Sequence, residues 1–233
     1  MSVGNRVYLK KPVVEQALVN GFSSIPTANI ADCMGRSCAL DPRVRLLSSP
    51  KQAITVGVAL TVKSRSGDNL MIHKALDIAE PGDVIVVSNE GGILNRSLMG
   101  EIMFTYAGYK KITGIVLDGP IRDIDAASAI NYPIYGTGTT PGGPYKEGPG
   151  EINVPISCGG ISINPGDIIV MDADGVIVIP LADAVDVLRS ASAFQEQDVA
   201  KVLAAANGTA KREWVDKKLA EKEIEIINGC YKD

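Results

Sequence analysis

Short apolar runs, divided by turn residues and by segments of helical period, make up most of the sequence before Pro180. Thr27 and Asn69 stand where helix N-caps are expected, and Gly35 stands where the first of these helices would end. Strands that alternate with helices predict an α/β fold, a layered single domain with buried strands and helices outside. The runs rich in β-branched residues, typical of buried strands, are 56–62, 84–87, 112–117 and 168–171.

Two segments, 80–87 and 164–171, share the order Pro-Gly-Asp followed by an apolar run. Pro-Gly sets a tight turn, so both predict a turn that leads into a buried strand. Residues 172–175, DADG, predict a hairpin turn, because the remaining acidic positions of a calcium loop are missing.

The two ends of the chain have helical periodicity. Residues 1–22 predict a helix, and after Pro180 the pattern predicts a helix over 181–206 and a charged amphipathic helix over 209–227. We therefore assign 1–180 to the α/β domain and 181–233 to a C-terminal helical extension. The extension either contacts a neighbouring subunit or packs on its own domain.

The stretch 91–126 is the part around which the chain is organised, and it reads as loop, helix, strand and turn. Such a unit brings the start of the helix and the far end of the strand to one edge of a sheet, where α/β proteins usually bind ligands. The helix start offers the backbone N–H groups of 100–103, and the strand end offers Asp118, Arg122 and Asp123. The predicted apolar face of this helix consists of Met99, Ile102, Met103, Tyr106 and Ala107.

Composition excludes several classes of function. A net charge of -4 provides no general attraction to nucleic acid or to an anionic membrane, so we expect neither as a partner. The sequence has no secretion signal and no apolar run long enough to span a bilayer, which favours a cytoplasmic location. Four cysteines without a CxxC pair and a single histidine do not have the spacing of a zinc site.

The side chains of the organising stretch suit chemistry on a 2-oxo acid. Asp123 can be the direct protein ligand of Mg²⁺ or Mn²⁺, with water and substrate oxygens completing the coordination. Arg122 can donate to the oxygen on which an enolate develops, and the N–H groups of 100–103 can hold the substrate carboxylate. Glu101 is a candidate general base acting through water. Taken alone, Arg122 and Asp123 would be read as a solvated turn pair.

Three other features of the sequence have a purely structural interpretation as well as a functional one. His73 is either a base or ligand, or a packed and hydrogen-bonded histidine, and the second interpretation is favoured because no triad partner is evident. The glycine- and proline-rich residues 136–151 either form a linker or lie within the domain, where they contact a neighbour or close over substrate. A Schiff-base mechanism would need a desolvated lysine, but four lysines fall at strand ends or on polar helix faces, where a solvated ammonium is expected: Lys63, Lys74, Lys110 and Lys111.

The motifs LMGE, at 98–101, and VLDGPIRD, at 116–123, resemble the family that contains 4-hydroxy-4-methyl-2-oxoglutarate/4-carboxy-4-hydroxy-2-oxoadipate aldolase and the RraA-type regulators of ribonuclease activity. The resemblance extends over most of 23–180. It includes TANIADCMGR, GDNLMIHKAL, PGDVIVV and CGGISINPGDIIVMDADGVIVIP.

The resemblance implies a swivelling β/α/β architecture, a homotrimer or homohexamer, and roles for particular residues. Arg122 would bind substrate and stabilise the enolate, and Asp123 would hold the divalent cation. The aldolases of the family usually have a second acid three residues after that aspartate, where this chain has Ala126; Asp125, or Glu196 of another subunit, would have to compensate. The substrate-binding segment would consist of Gly100, Glu101, Ile102 and Met103.

Two functions therefore remain open. The first is a metal-dependent lyase that cleaves a 4-hydroxy-2-oxo acid, or decarboxylates oxaloacetate, and releases pyruvate through its enolate. The second is a non-catalytic RraA-like protein that binds a ribonuclease. The presence of Glu101, Arg122 and Asp123 favours the enzyme.

Overall fold

A computed structural model of the chain describes residues 3–92 and 94–231. Residues 1 and 2 of the predicted N-terminal helix lie outside the described part. So do residues 232 and 233 of the predicted extension. The chain divides into two compact units, Met1–Ser192 and Ala193–Asp233, and the division falls inside a helix. The domain boundary at Pro180 stays a prediction.

Strands and helices alternate through the first unit, and helices make up the second. The strands are β1 (Asn5–Val7), β2 (Arg45–Leu46), β3 (Thr55–Ser64), β4 (Asp83–Ser88), β5 (Gly114–Leu117), β6 (Ile134–Gly136), β7 (Gly150–Ile152), β8 (Ile156–Cys158), β9 (Ile161–Ile163), β10 (Ile168–Asp172) and β11 (Gly175–Ile179). The helices are α1 (Gln16–Gly21), α2 (Thr27–Cys33), α3 (Leu70–Ile78), α4 (Glu101–Tyr109), α5 (Ile124–Ser128), α6 (Ala184–Ala206) and α7 (Glu213–Glu221). No helix in the described part of the chain is long and apolar enough to cross a membrane.

The long strand β3 lies at the centre of the main sheet. One edge of β3 pairs in parallel with β4, and its other edge pairs with β10 along its first half and with β7 near its end. The order is β1-β7-β3-β4-β5-β6-β2, and β3 to β6 form a parallel block. The carboxyl ends of these four strands therefore lie at one edge of the sheet.

Both faces of the parallel block are covered. Along β4, Ile85 and Val87 face a core shared with α3 and α4, whereas Val84 and Val86 face a core shared with β8 to β11. This alternation follows from the two-residue period of a strand. The predicted α/β class, with a central sheet, helices packed against it and a C-terminal helix, is confirmed.

The Pro-Gly-Asp turns have the predicted form. Gly82 and Gly166 have φ values of 97° and 92°, which glycine adopts without steric cost. Each following aspartate then accepts a hydrogen bond from the backbone N–H three residues before it: Asp83 from Glu80 at 3.0 Å and Asp167 from Asn164 at 2.7 Å. The DADG turn closes the β10-β11 hairpin, as predicted.

The prediction of one helix over 1–22 was wrong. Asn5–Val7 is a strand that pairs with β7, and the helix is restricted to Gln16–Gly21. Pro12 has no N–H to donate and disfavours helical backbone at Lys11, while pairing with β7 satisfies the backbone of the strand.

Two other helices differ from their predictions. α4 buries Met103 and Ala107 together with Phe104, but Ile102 and Tyr106 of the predicted apolar face are 80% and 40% exposed. α7 covers only part of 209–227. Helical period gives the apolar positions of a helix, whereas the sheet beneath it decides which of them are buried.

Candidate active site

The segment that leads into α4 lies beside the turn that follows β5. The N–H of Leu98 donates to the carbonyl oxygen of Pro120 at 2.9 Å, and the N–H of Arg122 donates to that of Met99 at 3.0 Å. These backbone hydrogen bonds bring the two predicted halves of the site together at the carboxyl edge of the sheet.

A third segment, which follows β6, completes this edge. Ile121 N–H donates to the carbonyl oxygen of Gly138 at 2.9 Å, and Thr140 N–H donates to that of Ile121 at 2.9 Å. Ser97 N–H donates to the carbonyl oxygen of Gly142 at 2.7 Å. The glycine- and proline-rich residues therefore pack against the site within the first unit and are not a linker.

Gly100 allows a close approach between α4 and the Arg122-Asp123 turn. A Cβ atom at this position would lie 2.5 Å from Asp123 Oδ2 and 2.9 Å from Arg122 Nε. The φ of Gly100 is -149°, which any residue can adopt, so the requirement for glycine is steric. The absence of a side chain lets the Glu101 N–H donate to Asp123 Oδ2 at 2.9 Å.

Asp123 has a strained backbone conformation and one carboxylate oxygen left open. Its φ of 57° and ψ of 50° are left-handed, a conformation that aspartate tolerates better than most residues. Its side chain is 41% exposed, and no described residue donates a hydrogen bond to Oδ1. No cluster of three or more His, Cys, Asp or Glu side chains could hold a metal in the described part of the chain. One open carboxylate oxygen fits Mg²⁺ or Mn²⁺, which commonly takes one protein carboxylate together with water and substrate oxygens.

The backbone N–H groups at the start of α4 are not equivalent. Glu101 donates to Asp123, and Met103 donates to the carbonyl oxygen of Gly100 at 3.0 Å. Within the described residues, the N–H groups of Gly100 and Ile102 donate no hydrogen bond. Both groups lie at the positive end of the helix dipole, which favours an anion.

A cleft of about 250 Å³ lies next to these groups. Asn69 is buried there, with Nδ2 donating to the carbonyl oxygen of Leu98 at 3.0 Å, whereas its Oδ1 has no partner among the described residues. Glu101 is exposed and does not line the cleft. The charged and polar side chains of the lining are those of Arg122, Lys146, His73, Asn69 and Ser97, beside Gly100, Ile102 and Met103.

Burial and nearby charges shift the pKa of His73. Burial lowers the pKa of its imidazole, the positive charge of Lys146 lowers it further, and Asp77 partly opposes both effects. His73 is therefore neutral at pH 7. It lies in the lining, a location that its helical position in the sequence did not reveal. Lys146 gave no signal in the sequence either, because it belongs to an irregular loop.

Asp118 belongs to a different cluster from the one predicted. Its carboxylate accepts two hydrogen bonds from Arg43 Nη2, at 2.7 and 2.9 Å, and one from the Gly159 N–H at 3.0 Å. Three hydrogen bonds thus occupy a carboxylate that is 8% exposed. Of the three predicted strand-end residues, only Arg122 and Asp123 contact the start of α4.

A larger cleft, of about 500 Å³, lies elsewhere, beneath residues 9–14 and at the amino end of β4. Its Lys11 and Asp83 form an ion pair at 2.7 Å, so these two charges largely neutralise each other. None of the predicted site residues lines it. The smaller cleft, with Arg122 and Lys146, is the better candidate for an anionic substrate.

Comparison with known proteins gives consistent results. The model of the Aldolase/RraA family (RraA-like) matches residues 27–178. A Halalkalibacterium halodurans protein named "Putative 4-hydroxy-4-methyl-2-oxoglutarate aldolase" is 43% identical over 200 residues, covering 85% of this chain and 94% of that protein. The range matched by the family model includes all the residues described at the cleft.

Solved structures resemble the fold. An uncharacterized protein from Pseudomonas syringae pv. tomato is 28% identical with a TM-score of 0.72, covering 84% of this chain and 96% of that one. RraAS2 of Streptomyces coelicolor, described as an unusual member of the RNase ES inhibitor RraA protein family, is 25% identical with a TM-score of 0.69. That match covers 82% of this chain and 99% of RraAS2.

Two glycine substitutions on α4 should have opposite effects. Gly100→Ala should lower the free energy of unfolding by about 1–3 kcal/mol, because the new methyl group overlaps Asp123 and Arg122. Gly108→Ala should raise it by about 0.5–1 kcal/mol, since its Cβ would make only an ordinary contact, 3.6 Å from Tyr132. Urea denaturation measures both, and amide exchange at Glu101 should accelerate only in Gly100→Ala. A Gly100→Ala variant of wild-type stability with a protected Glu101 amide would contradict the steric argument.

The chain has a single histidine, so its titration can be followed by one NMR resonance. We expect the pKa of His73 to lie below the ordinary value of about 6.5. Lys146→Met should move that pKa upward and Asp77→Asn downward. Because folding lowers this pKa, the associated stability is complete above the ordinary value and is lost as the pH falls below it. A His73 pKa at or above the ordinary value, or one unaffected by Lys146→Met, would show that burial and Lys146 do not lower it.

Proposed function

This chain belongs to the Aldolase/RraA family, and on that premise we propose that it is a divalent-metal-dependent lyase that releases pyruvate from a 4-hydroxy-2-oxo acid or from oxaloacetate. One observation carries the proposal. Gly100, at the start of α4, brings the N–H groups of that helix end close to the Arg122 side chain and to Oδ2 of Asp123. This close approach supports a site in which the helix start binds an anion, Arg122 supplies a positive charge and Asp123 holds a cation.

Asp123 is the residue that would hold the cation, through Oδ1. When bound, Mg²⁺ or Mn²⁺ would supply positive charge at the substrate's 2-oxo group. The Glu101 N–H, which donates to Oδ2, orients the carboxylate. The exposed position of Asp123 leaves space for water and substrate oxygens.

Arg122 stabilises the negative charge that the reaction creates. Cleavage of the bond between C3 and C4 leaves its electron pair on the pyruvate fragment, as an enolate with charge on the former ketone oxygen. Arg122 lines the cleft and its guanidinium remains charged, so it can donate to that oxygen. Protonation of the enolate at C3 then gives pyruvate.

The remaining groups bind the substrate and move a proton. The N–H groups of Gly100 and Ile102 receive the carboxylate next to the ketone. Glu101, exposed at the helix start, accepts the proton of the C4 hydroxyl through water, and the electrons of that O–H bond form the new carbonyl. Lys146 provides a positive charge for a second carboxylate, such as that of the substrate named for the H. halodurans relative.

We also propose that the active form is a homotrimer or homohexamer. Ile102, Tyr106 and Tyr109 form an exposed apolar stripe on α4, and such stripes usually pack against another surface. A neighbouring subunit would cover this stripe. It would also offer Glu196 where Ala126 leaves the usual second acid missing, unless Asp125 compensates.

The alternative is a non-catalytic protein that binds a ribonuclease. The likeness to RraAS2, titled as a member of an RNase inhibitor family, and Ala126 both favour it. A pyruvate-release assay on the wild-type protein separates the two functions. The non-catalytic protein would release no pyruvate with any metal.

Asp123→Asn tests the metal assignment. We expect wild-type pyruvate release with Mg²⁺ or Mn²⁺ and none after chelation. The variant should remain folded yet lose at least about a hundredfold in rate, because a neutral amide binds a hard cation poorly. Mn²⁺ binding, followed by electron paramagnetic resonance, should weaken in parallel. Asp174→Asn, at an exposed hairpin turn, is the matched control and should behave as wild type. Chelator-insensitive turnover in Asp123→Asn would refute the assignment.

Arg122→Lys tests the role of the guanidinium. Lysine keeps the charge but lacks the planar fork, so the variant should lower kcat by about 10²–10³-fold and change KM much less. Steady-state kinetics at saturating metal measure both constants. A rise in KM with kcat preserved would show that Arg122 binds substrate and transition state equally, contrary to the proposed role.

A further inference from the structure

The loop at residues 142–148, here called the cleft loop, carries Lys146 into the lining of the candidate site. It has no regular structure of its own. Its backbone is tied to the turn before α3: Tyr145 N–H donates to the carbonyl oxygen of Gly67 at 2.8 Å, and Asn69 N–H donates to that of Tyr145 at 3.0 Å. The position of Lys146 therefore depends on contacts made outside the loop.

Asp68 lies at the centre of this attachment. It is 1% exposed, and Oδ1 accepts the Leu70 N–H, in the first turn of α3, at 2.9 Å. Oδ2 accepts two hydrogen bonds from the cleft loop, from the N–H groups of Glu147 at 2.6 Å and Gly148 at 2.9 Å. Among the described residues no cation pairs with Asp68, so backbone N–H groups alone balance its charge.

We propose that Asp68 is a positioning residue that fixes the cleft loop, and with it Lys146, against the substrate cleft. The expected effect on kinetics rests on the proposed function. The expected effect on the loop rests on the hydrogen bonds alone. A carboxylate binds N–H donors more strongly than a neutral oxygen does, and Oδ2 serves two loop amides at once. Without it, the Glu147 and Gly148 amides lose their shared acceptor, and the part of the loop next to Lys146 is held less firmly.

Asp167 is a matched control for a substitution at Asp68. It is 3% exposed, and its carboxylate likewise accepts only backbone N–H groups, from Leu181 at 3.0 Å and from Asn164 at 2.7 Å. It does not line the cleft. Asp167→Asn and Asp68→Asn therefore each remove a buried carboxylate that accepts backbone N–H groups. Only Asp68 accepts N–H groups of the cleft loop.

Amide hydrogen exchange on the full-length protein tests the structural claim. In Asp68→Asn, the amides of Glu147 and Gly148 should exchange at least about tenfold faster than in wild type, because one neutral carbonyl oxygen replaces the two carboxylate oxygens that accept three N–H groups. In Asp167→Asn, the accelerated amides should be those of Asn164 and Leu181. Unchanged exchange at Glu147 and Gly148 in a folded Asp68→Asn variant would overturn the proposal, whatever reaction the protein catalyses.

Kinetics with 4-hydroxy-4-methyl-2-oxoglutarate test the consequence for substrate. Asp68→Asn should raise KM at least about tenfold and change kcat by less than about threefold, because Lys146 contributes to binding rather than to the bond cleavage. Asp167→Asn should leave both constants unchanged. If the wild type is active and Asp68→Asn has the same KM, the positioning role is overturned, but the proposed lyase activity is not. A wild type that releases no pyruvate would refute the lyase, and amide exchange would then decide whether Asp68 holds the loop.

Discussion

The arrangement of the site depends on one close backbone approach, between the segment that enters α4 and the turn that leaves β5. Backbone hydrogen bonds join Leu98 to Pro120 and Arg122 to Met99, and they form because Gly100 presents no Cβ to the opposite turn. Gly119 has the same role on the other side, since a Cβ there would lie 2.6 Å from Leu98. A methyl group at either glycine would separate two segments that interior packing holds without space to spare.

Asp123 connects the fold with the proposed chemistry. One oxygen, Oδ2, accepts the Glu101 N–H and so caps the start of α4 from another segment of the chain. The other oxygen is open. The carboxylate that would bind a cation is thus held by the helix whose remaining N–H groups would bind the substrate. In the proposed function, this shared use would fix the distance between the cation and the substrate carboxylate.

Carboxylates that accept backbone N–H groups recur throughout the first unit. They stand where irregular segments meet strands or helices, and each satisfies donors that regular structure leaves unpaired. Four of the buried or partly buried examples are Asp68, Asp83, Asp167 and Asp172. The acidic balance of the sequence therefore reflects turn and cap chemistry as well as surface charge. A count of acidic residues could not distinguish Asp118, paired with Arg43, from Asp123.

The sequence by itself determined the order of the longer strands, β3, β4, β5 and β10, and of most helices, because periodicity, caps and Pro-Gly turns act within a few residues. It also predicted that Gly100 and Asp123 lie at one edge of the sheet, because the start of a helix and the far end of the strand after it meet at the same edge. Tertiary structure decided which groups stay free there. Arg43 is 75 residues from Asp118, and Glu147 is 79 residues from Asp68. Hydrogen bonds over such separations depend on the packing of whole layers, so no local pattern could predict that Asp118 leaves the site or that Lys146 enters it.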